Sequence, residues 1–127
     1  IIVLSPTAPL RTVKDIQKSI KLFKRYHRTT ICVTKTHRNP FFNMVKKKNG
    51  FFKLVNFIKK IKIRQLAPQI YDMTTICSVL KPEIIIKNNF LFDDKVIGFC
   101  VPKNRSVDID DKYDFQYALF LKKKGFF

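Results

Sequence analysis

Two prolines within four residues, in Ser5-Pro6-Thr7-Ala8-Pro9, constrain this chain more than any other feature. Proline lacks the amide hydrogen that both a helix and a strand ladder use, so this stretch can be neither. Its flanks are thereby separated into distinct elements. Before it, Ile1 to Leu4 is a continuous apolar run, which predicts a short parallel strand buried on both faces. After it, Thr12 is placed to cap a helix, with Asp15 in the first turn. Val13, Ile16, Ile20 and Phe23 recur at helical spacing and predict one apolar face, with Lys14, Lys18, Lys21 and Lys24 off it. The helix is expected to end near Tyr26, and Thr30 to Thr34 to form the next strand. Strand, loop, helix, strand is a βαβ unit with a right-handed crossover. The Ser5 to Arg11 loop then lies at the carboxyl end of a strand, where open α/β sheets bind their ligands.

Beyond Thr34 the pattern loosens. Asn49-Gly50 is a hairpin turn signal between Phe41-Phe42 and Phe51-Phe52. Val55, Phe57, Ile58 and Ile61 add apolar residues between lysines. The segment 37–72 therefore reads as a hairpin-bearing excursion from the sheet, with a satellite core or a subunit interface. Ile76 to Leu80 is a further strand. Pro82 opens a short helix, Lys81 to Asn88, ending at Asn88-Asn89. Lys95 to Val101 is a last strand, stopped by Pro102. Asp111 and Asp114 open a final helix whose buried face is expected to be Phe115, Ala118 and Leu119.

The formal charge of +17 would suit nucleic acid or an anionic membrane. However, 20 of the 26 basic residues are lysines, and they are scattered among abundant Ile, Asn and Phe. No arginine-rich arm is present. A solvated basic surface is the preferred reading, with no membrane and no nucleic acid as partner. No apolar run nears the roughly 18 residues of a membrane span, and no secretory pattern appears. Cys32, Cys77 and Cys100 are widely spaced, each within an apolar run, and are read as buried thiols in a reducing compartment, the cytoplasm. The chain opens on Ile1 inside an apolar run and is expected to lack its natural N-terminus.

The acidic residues are few and clustered. Of nine in the chain, six (Asp93, Asp94, Asp108, Asp110, Asp111, Asp114) fall between positions 93 and 114. In Arg105-Ser106-Val107-Asp108-Ile109-Asp110, side chains two apart on an extended segment point the same way. Asp108 and Asp110 can thus converge on one hard cation. Mg²⁺ takes one or two carboxylates and completes its shell with water and phosphate. Either aspartate could instead cap the last helix, a role that suits Asp110 or Asp111 better than Asp108. Arg11, at the end of the proline loop, is placed to fork a carboxylate or phosphate, and Arg64-Gln65 is a second planar pair. His27 and His37 have no sequence partner for a triad or a metal cluster.

Taken in order, these segments resemble the acylneuraminate cytidylyltransferase family, the CMP-sialic acid synthetases, over essentially the whole chain. Leu4-Ser5-Pro6-Thr7-Ala8-Pro9-Leu10-Arg11 is similar to the family's Leu-Gln-Pro-Thr-Ser-Pro-Leu-Arg loop. His37-Arg38-Asn39-Pro40-Phe41 resembles its histidine-proline segment. Arg64-Gln65 with Pro68 and Tyr71 resembles its Arg-Gln…Leu-Pro…Tyr/Phe stretch. Arg105 to Asp110 resembles its closing Asp-Ile-Asp motif. The resemblance implies a nucleotide-diphospho-sugar transferase type α/β fold, Rossmann-like and three-layered, with 1–127 its C-terminal part and 37–72 a dimerisation excursion. It implies CTP and an acidic keto sugar as substrates, Mg²⁺ as cofactor and a homodimer as the assembly. Asp108 and Asp110 would hold the metal. Ser5, Thr7, Arg11, Arg64, Gln65 and Asp72 would lie around the sugar.

Departures from the family pattern matter. Its loop glutamine and serine are Ser5 and Ala8 here. Where sialic-acid enzymes carry Arg-Pro-Asn-Gly-Ala, this chain reads Asp72-Met73-Thr74-Thr75-Ile76. An acid in place of a base beside an anionic sugar changes preference by charge alone. The family's glycine- and lysine-containing phosphate loop is not matched, since the three glycines fall in no phosphate-cradling pattern. The 127 residues alone are therefore expected to be inactive. Two alternatives stand beside this reading: a basic module for RNA or anionic surfaces, and an inactive remnant that still dimerises.

Overall fold

The structure is a computed structural model that describes residues 1–59, 63–87, 90–92 and 95–126. Asp93, Asp94, Ile61, Asn88 and Asn89 lie outside the described residues. The chain divides into two compact units, one formed by Ile1–Thr34 with Met73–Phe127, the other by Lys35–Asp72.

The first unit is α/β, built on a mixed four-stranded sheet with strand order β1-β5-β2-β6. Strand β1 is Ile2–Val3, β2 Thr30–Lys35, β5 Tyr71–Val79 and β6 Ile97–Cys100. β2 and β6 run parallel, with Thr30 opposite Ile97 and Val33 opposite Cys100. β1 departs from expectation. It pairs antiparallel with β5, Ile2 opposite Val79, and Ile1 to Leu4 are each about half exposed. An apolar run reports burial but not strand direction. β5 lies between β1 and β2 in the sheet, so the two strands that α1 connects are not neighbours. β5 itself begins at Tyr71, five residues before the expected Ile76.

Helix α1, Val13–Tyr26, starts where the proline loop releases the chain. Thr12 and Asp15 form a reciprocal capping box, and His27 closes the helix in the left-handed region at φ 50°. Ile16, Ile20 and Phe23 pack with Phe99 against a core of Ala8, Cys32, Ile76, Cys77, Val79 and Val101. Val13, expected on that face, is 68% exposed. It sits in the first turn, outside the stripe that meets the sheet. Burial pushes the Cys32 and Cys77 thiols up, which keeps them protonated and inert. Cys100 is exposed, contrary to expectation. Phe99 turns toward α1, so strand alternation turns Cys100 to the other side.

Helix α2, Pro82–Ile86, carries proline in its first turn and is shorter than the expected span. Helix α3, Lys112–Lys123, is opened by a second capping box between Asp111 and Asp114. Ala118 and Leu121 are its buried residues, joining Leu10, Val107 and Ile109 in a small apolar cluster. Phe115 and Leu119, expected inside, are about half exposed. The helix carries apolar residues on several sides, so its pattern did not specify a single face.

The second unit holds a hairpin of β3, Val45–Lys48, and β4, Phe51–Leu54, in register Lys48 opposite Phe51. Asn49 and Gly50 take φ of 52° and 82°. Two positive φ values in succession make the turn whose twist matches that of its strands, as the Asn-Gly pair predicted. A 3₁₀ turn, Arg64–Leu66, follows within this unit.

Candidate functional site

The site in the first unit is assembled from two segments that the fold places side by side. The proline loop folds on itself: Ser5 Oγ and Thr7 Oγ1 are 2.6 Å apart, and the Thr7 amide donates to Ser5 Oγ at 3.3 Å. Ala8 and Leu10 face inward and are buried, each in a different apolar cluster. The Arg11 guanidinium donates to Ile76 O at 3.1 Å and to Ser5 O. Two of its five N–H donors are thus spent holding the loop, and the others have no hydrogen-bond partner among the described residues. Opposite, the Ile109 amide donates to Thr7 O at 2.9 Å. That bond sets Ser5 and Thr7 beside the segment bearing Asp108 and Asp110.

The Asp segment owes its orientation to alternation. Val107 and Ile109 pack in the apolar cluster with Leu10, Ala118 and Leu121. The intervening Asp108 and Asp110 are turned away from that cluster. Asp110 is exposed, and its amide donates to Asp114 Oδ2 at 3.2 Å. Asp111, not Asp110, is the helix cap: its carboxylate accepts from the Tyr113 and Asp114 amides. Asp108 differs from its neighbours. Its Oδ1 is buried and has no hydrogen-bond partner among the described residues. A buried carboxylate oxygen without a donor costs free energy unless something else satisfies it. Such an atom fits a cation ligand, and hard oxygen donors suit Mg²⁺. No group of three or more metal-binding side chains occurs among the described residues.

Sequence reasoning missed one pair. Arg105 forks the carboxylate of Asp15, with Nε to Oδ2 at 3.1 Å and Nη2 to Oδ1 at 2.8 Å. Asp15 is 1% exposed and the Arg105 side chain 22%. Burial acts to raise the Asp15 pKa, but hydrogen bonds from Arg105 and Thr12, with the guanidinium charge, prevail and hold it below the usual carboxylate range. A signal was present in the chain, since Asp15 is its only acidic residue before Asp72.

The remaining predicted residues belong to the second unit. Arg64 is exposed, donates through Nη2 to His37 O at 3.0 Å, and borders a cavity of about 240 Å³ together with Lys35, His37, Arg38 and Asn39. Gln65 is exposed on the same 3₁₀ turn, and Asp72 is exposed near the start of β5. No helix among the described residues is long and apolar enough to cross a membrane.

No family model matches the chain. Curated relatives do. It is 29% identical over 123 residues to Post-translational flagellin modification protein B of Campylobacter coli, covering 95% of this chain and 52% of that protein. It is 31% identical over 92 residues to CMP-N,N'-diacetyllegionaminic acid synthase of Campylobacter jejuni, covering 72% of this chain and 38% of that protein. The chain thus spans about half the length, or less, of the curated relatives it matches.

Proposed function

We propose, from the premise that this chain is kin to the cytidylyltransferases, that it forms part of an enzyme joining CTP to a sialic-acid-like nonulosonic acid. The products are the CMP-sugar and pyrophosphate. One observation carries the reading: a buried Asp108 oxygen without a protein partner, on a segment hydrogen-bonded to the Ser5–Arg11 loop. Asp108 and Asp110 would hold Mg²⁺, which would supply charge neutralisation on the triphosphate. Ser5 and Thr7 offer hydroxyls to the sugar, and the donors left on Arg11 suit its carboxylate. Arg64, Gln65 and Asp72 are proposed as sugar contacts on the family resemblance alone. The name of the legionaminic acid relative and the acidic Asp72 both favour a nonulosonate other than sialic acid. The fold is of the nucleotide-diphospho-sugar transferase type, the Lys35–Asp72 unit is the dimerisation element, and the compartment is the cytoplasm.

No glycine-rich triphosphate cradle occurs among the described residues. Gly50 occupies a hairpin turn, Gly98 the middle of β6 and Gly125 the end of α3, and none opens a phosphate loop. The test is pyrophosphate release from CTP by the intact gene product, with a panel of nonulosonic acids. Asp108→Asn is expected to lower turnover about a hundredfold or more. No release with any acid, or an Asp108→Asn enzyme as fast as the parent, sinks the reading. The 127-residue chain assayed alone is expected to give none.

A further inference from the structure

The stretch 106–110 is tethered at both ends and in the middle. At its C-terminal end the α3 capping box holds it, with Asp114 Oδ2 accepting from the Asp110 and Asp111 amides at 3.2 and 3.3 Å. In the middle, Ile109 donates its amide to Thr7 O, and the Val107 and Ile109 side chains are packed. At its N-terminal end the tether is Arg105, which closes the 3₁₀ turn Lys103–Arg105 and grips Asp15 through two parallel bonds. Asp15 is itself immobile. Its Oδ2 also accepts from the Thr12 amide at 3.0 Å and the Thr12 hydroxyl at 2.8 Å, inside the α1 capping box.

This arrangement is hard to explain by stability alone. A buried ion pair is often no better for folding than apolar residues of the same size. What a two-pronged guanidinium–carboxylate contact supplies is direction, because both planes must align. Asp108 needs that direction. Its buried oxygen gains nothing from the surrounding protein, so an untethered segment would relax toward water.

We propose that Arg105 is a positioning residue: its fork on Asp15 ties the Asp108–Asp110 segment to the start of α1 and so presets Asp108 for a divalent cation. The inference rests on the metal role given to Asp108 above, and its test separates the two. The probe is Mn²⁺ alone, titrated into the full chain and followed by electron paramagnetic resonance, with melting temperature recorded for every variant. The parent is expected to bind Mn²⁺, and Asp108→Asn to lose it. Arg105→Lys keeps the charge but not the fork and is expected to weaken binding about tenfold, as loss of a partner behind a metal ligand commonly does. Val79→Ala is the control. It opens a cavity in the sheet core and removes no hydrogen-bond partner of Asp15 or Arg105, so the melting temperature should fall while Mn²⁺ affinity stays within about twofold of the parent.

An Arg105→Lys affinity equal to the parent's overturns the positioning role and leaves Asp108 as a ligand. An equal loss in Val79→Ala also overturns it, by showing that stability governs both. No Mn²⁺ binding by the parent, or full binding by Asp108→Asn, removes the metal role and this inference together. Should Arg105→Lys fail to fold, Asp15→Asn combined with Arg105→Gln replaces it. That pair removes both buried charges at once, leaves no orphan, and is expected to show the same tenfold weakening.

Discussion

At the scale of single residues, the buried Asp15–Arg105 pair makes the first unit sensitive to acid. The folded-state pKa of Asp15 is depressed below its unfolded value of about 3.9. Stability from this group is therefore complete above that unfolded value and is lost as pH falls through the folded one. Urea midpoints are expected to hold steady from about pH 7 to 5 and to drop below about pH 4. Asp15→Asn should flatten part of that acid limb and lower the neutral plateau by about 3 kcal/mol, since Arg105 is left unpaired. An acid limb identical in the variant would show that other carboxylates set it. Part of this scale was legible in the sequence. Thr12 and Asp15 could be read as a cap because capping is local, and the Asp108–Asp110 pair because its spacing is local too. The fork between Asp15 and Arg105 joins residues 90 positions apart, and spacing carries no trace of it.

Among elements, α1 and the hairpin were legible for the same reason: each is bounded by residues with one dominant conformational use. The boundary residues also expose them to test. His27 closes α1 with a left-handed φ of 50°, which a residue with a β-carbon adopts at a cost. His27→Gly is expected to stabilise the protein by about 0.5 kcal/mol, a rise of roughly 2 °C in melting temperature. A fall would mean that the imidazole contributes something the backbone does not reveal. Strand direction and helix rotation were much less legible. Ile1 to Leu4 read as a doubly buried parallel strand, yet hydrogen bonding sets them antiparallel to β5 with their side chains half exposed. In α3 the choice of Phe115 and Leu119 over Leu121 failed because Leu10, which with Val107 and Ile109 selects the face, is distant in sequence.

For the molecule as a whole, the proposed dimer makes a concrete demand. A two-stranded hairpin is marginally stable by itself in water, and here Val45, Phe51 and Phe52 are all more than half exposed. An apolar surface of that kind marks a contact site. Sedimentation of the chain is expected to give a dimer, and Phe51→Ser with Phe52→Lys a monomer. A monomeric parent would withdraw the assembly, and a variant that stays dimeric would move it to another surface. The excursion was visible in the sequence through its turn and its aromatic residues. The bond from the Ile109 amide to Thr7 O has a different reach. Because main-chain atoms alone make it, the proline loop keeps its seat whatever side chains stand at Ser5 and Thr7. On the proposed function, those two positions could be randomised in a library, or drift between lineages, while the carboxylate segment stays in register, which would make sugar choice a replaceable fitting on a fixed mount.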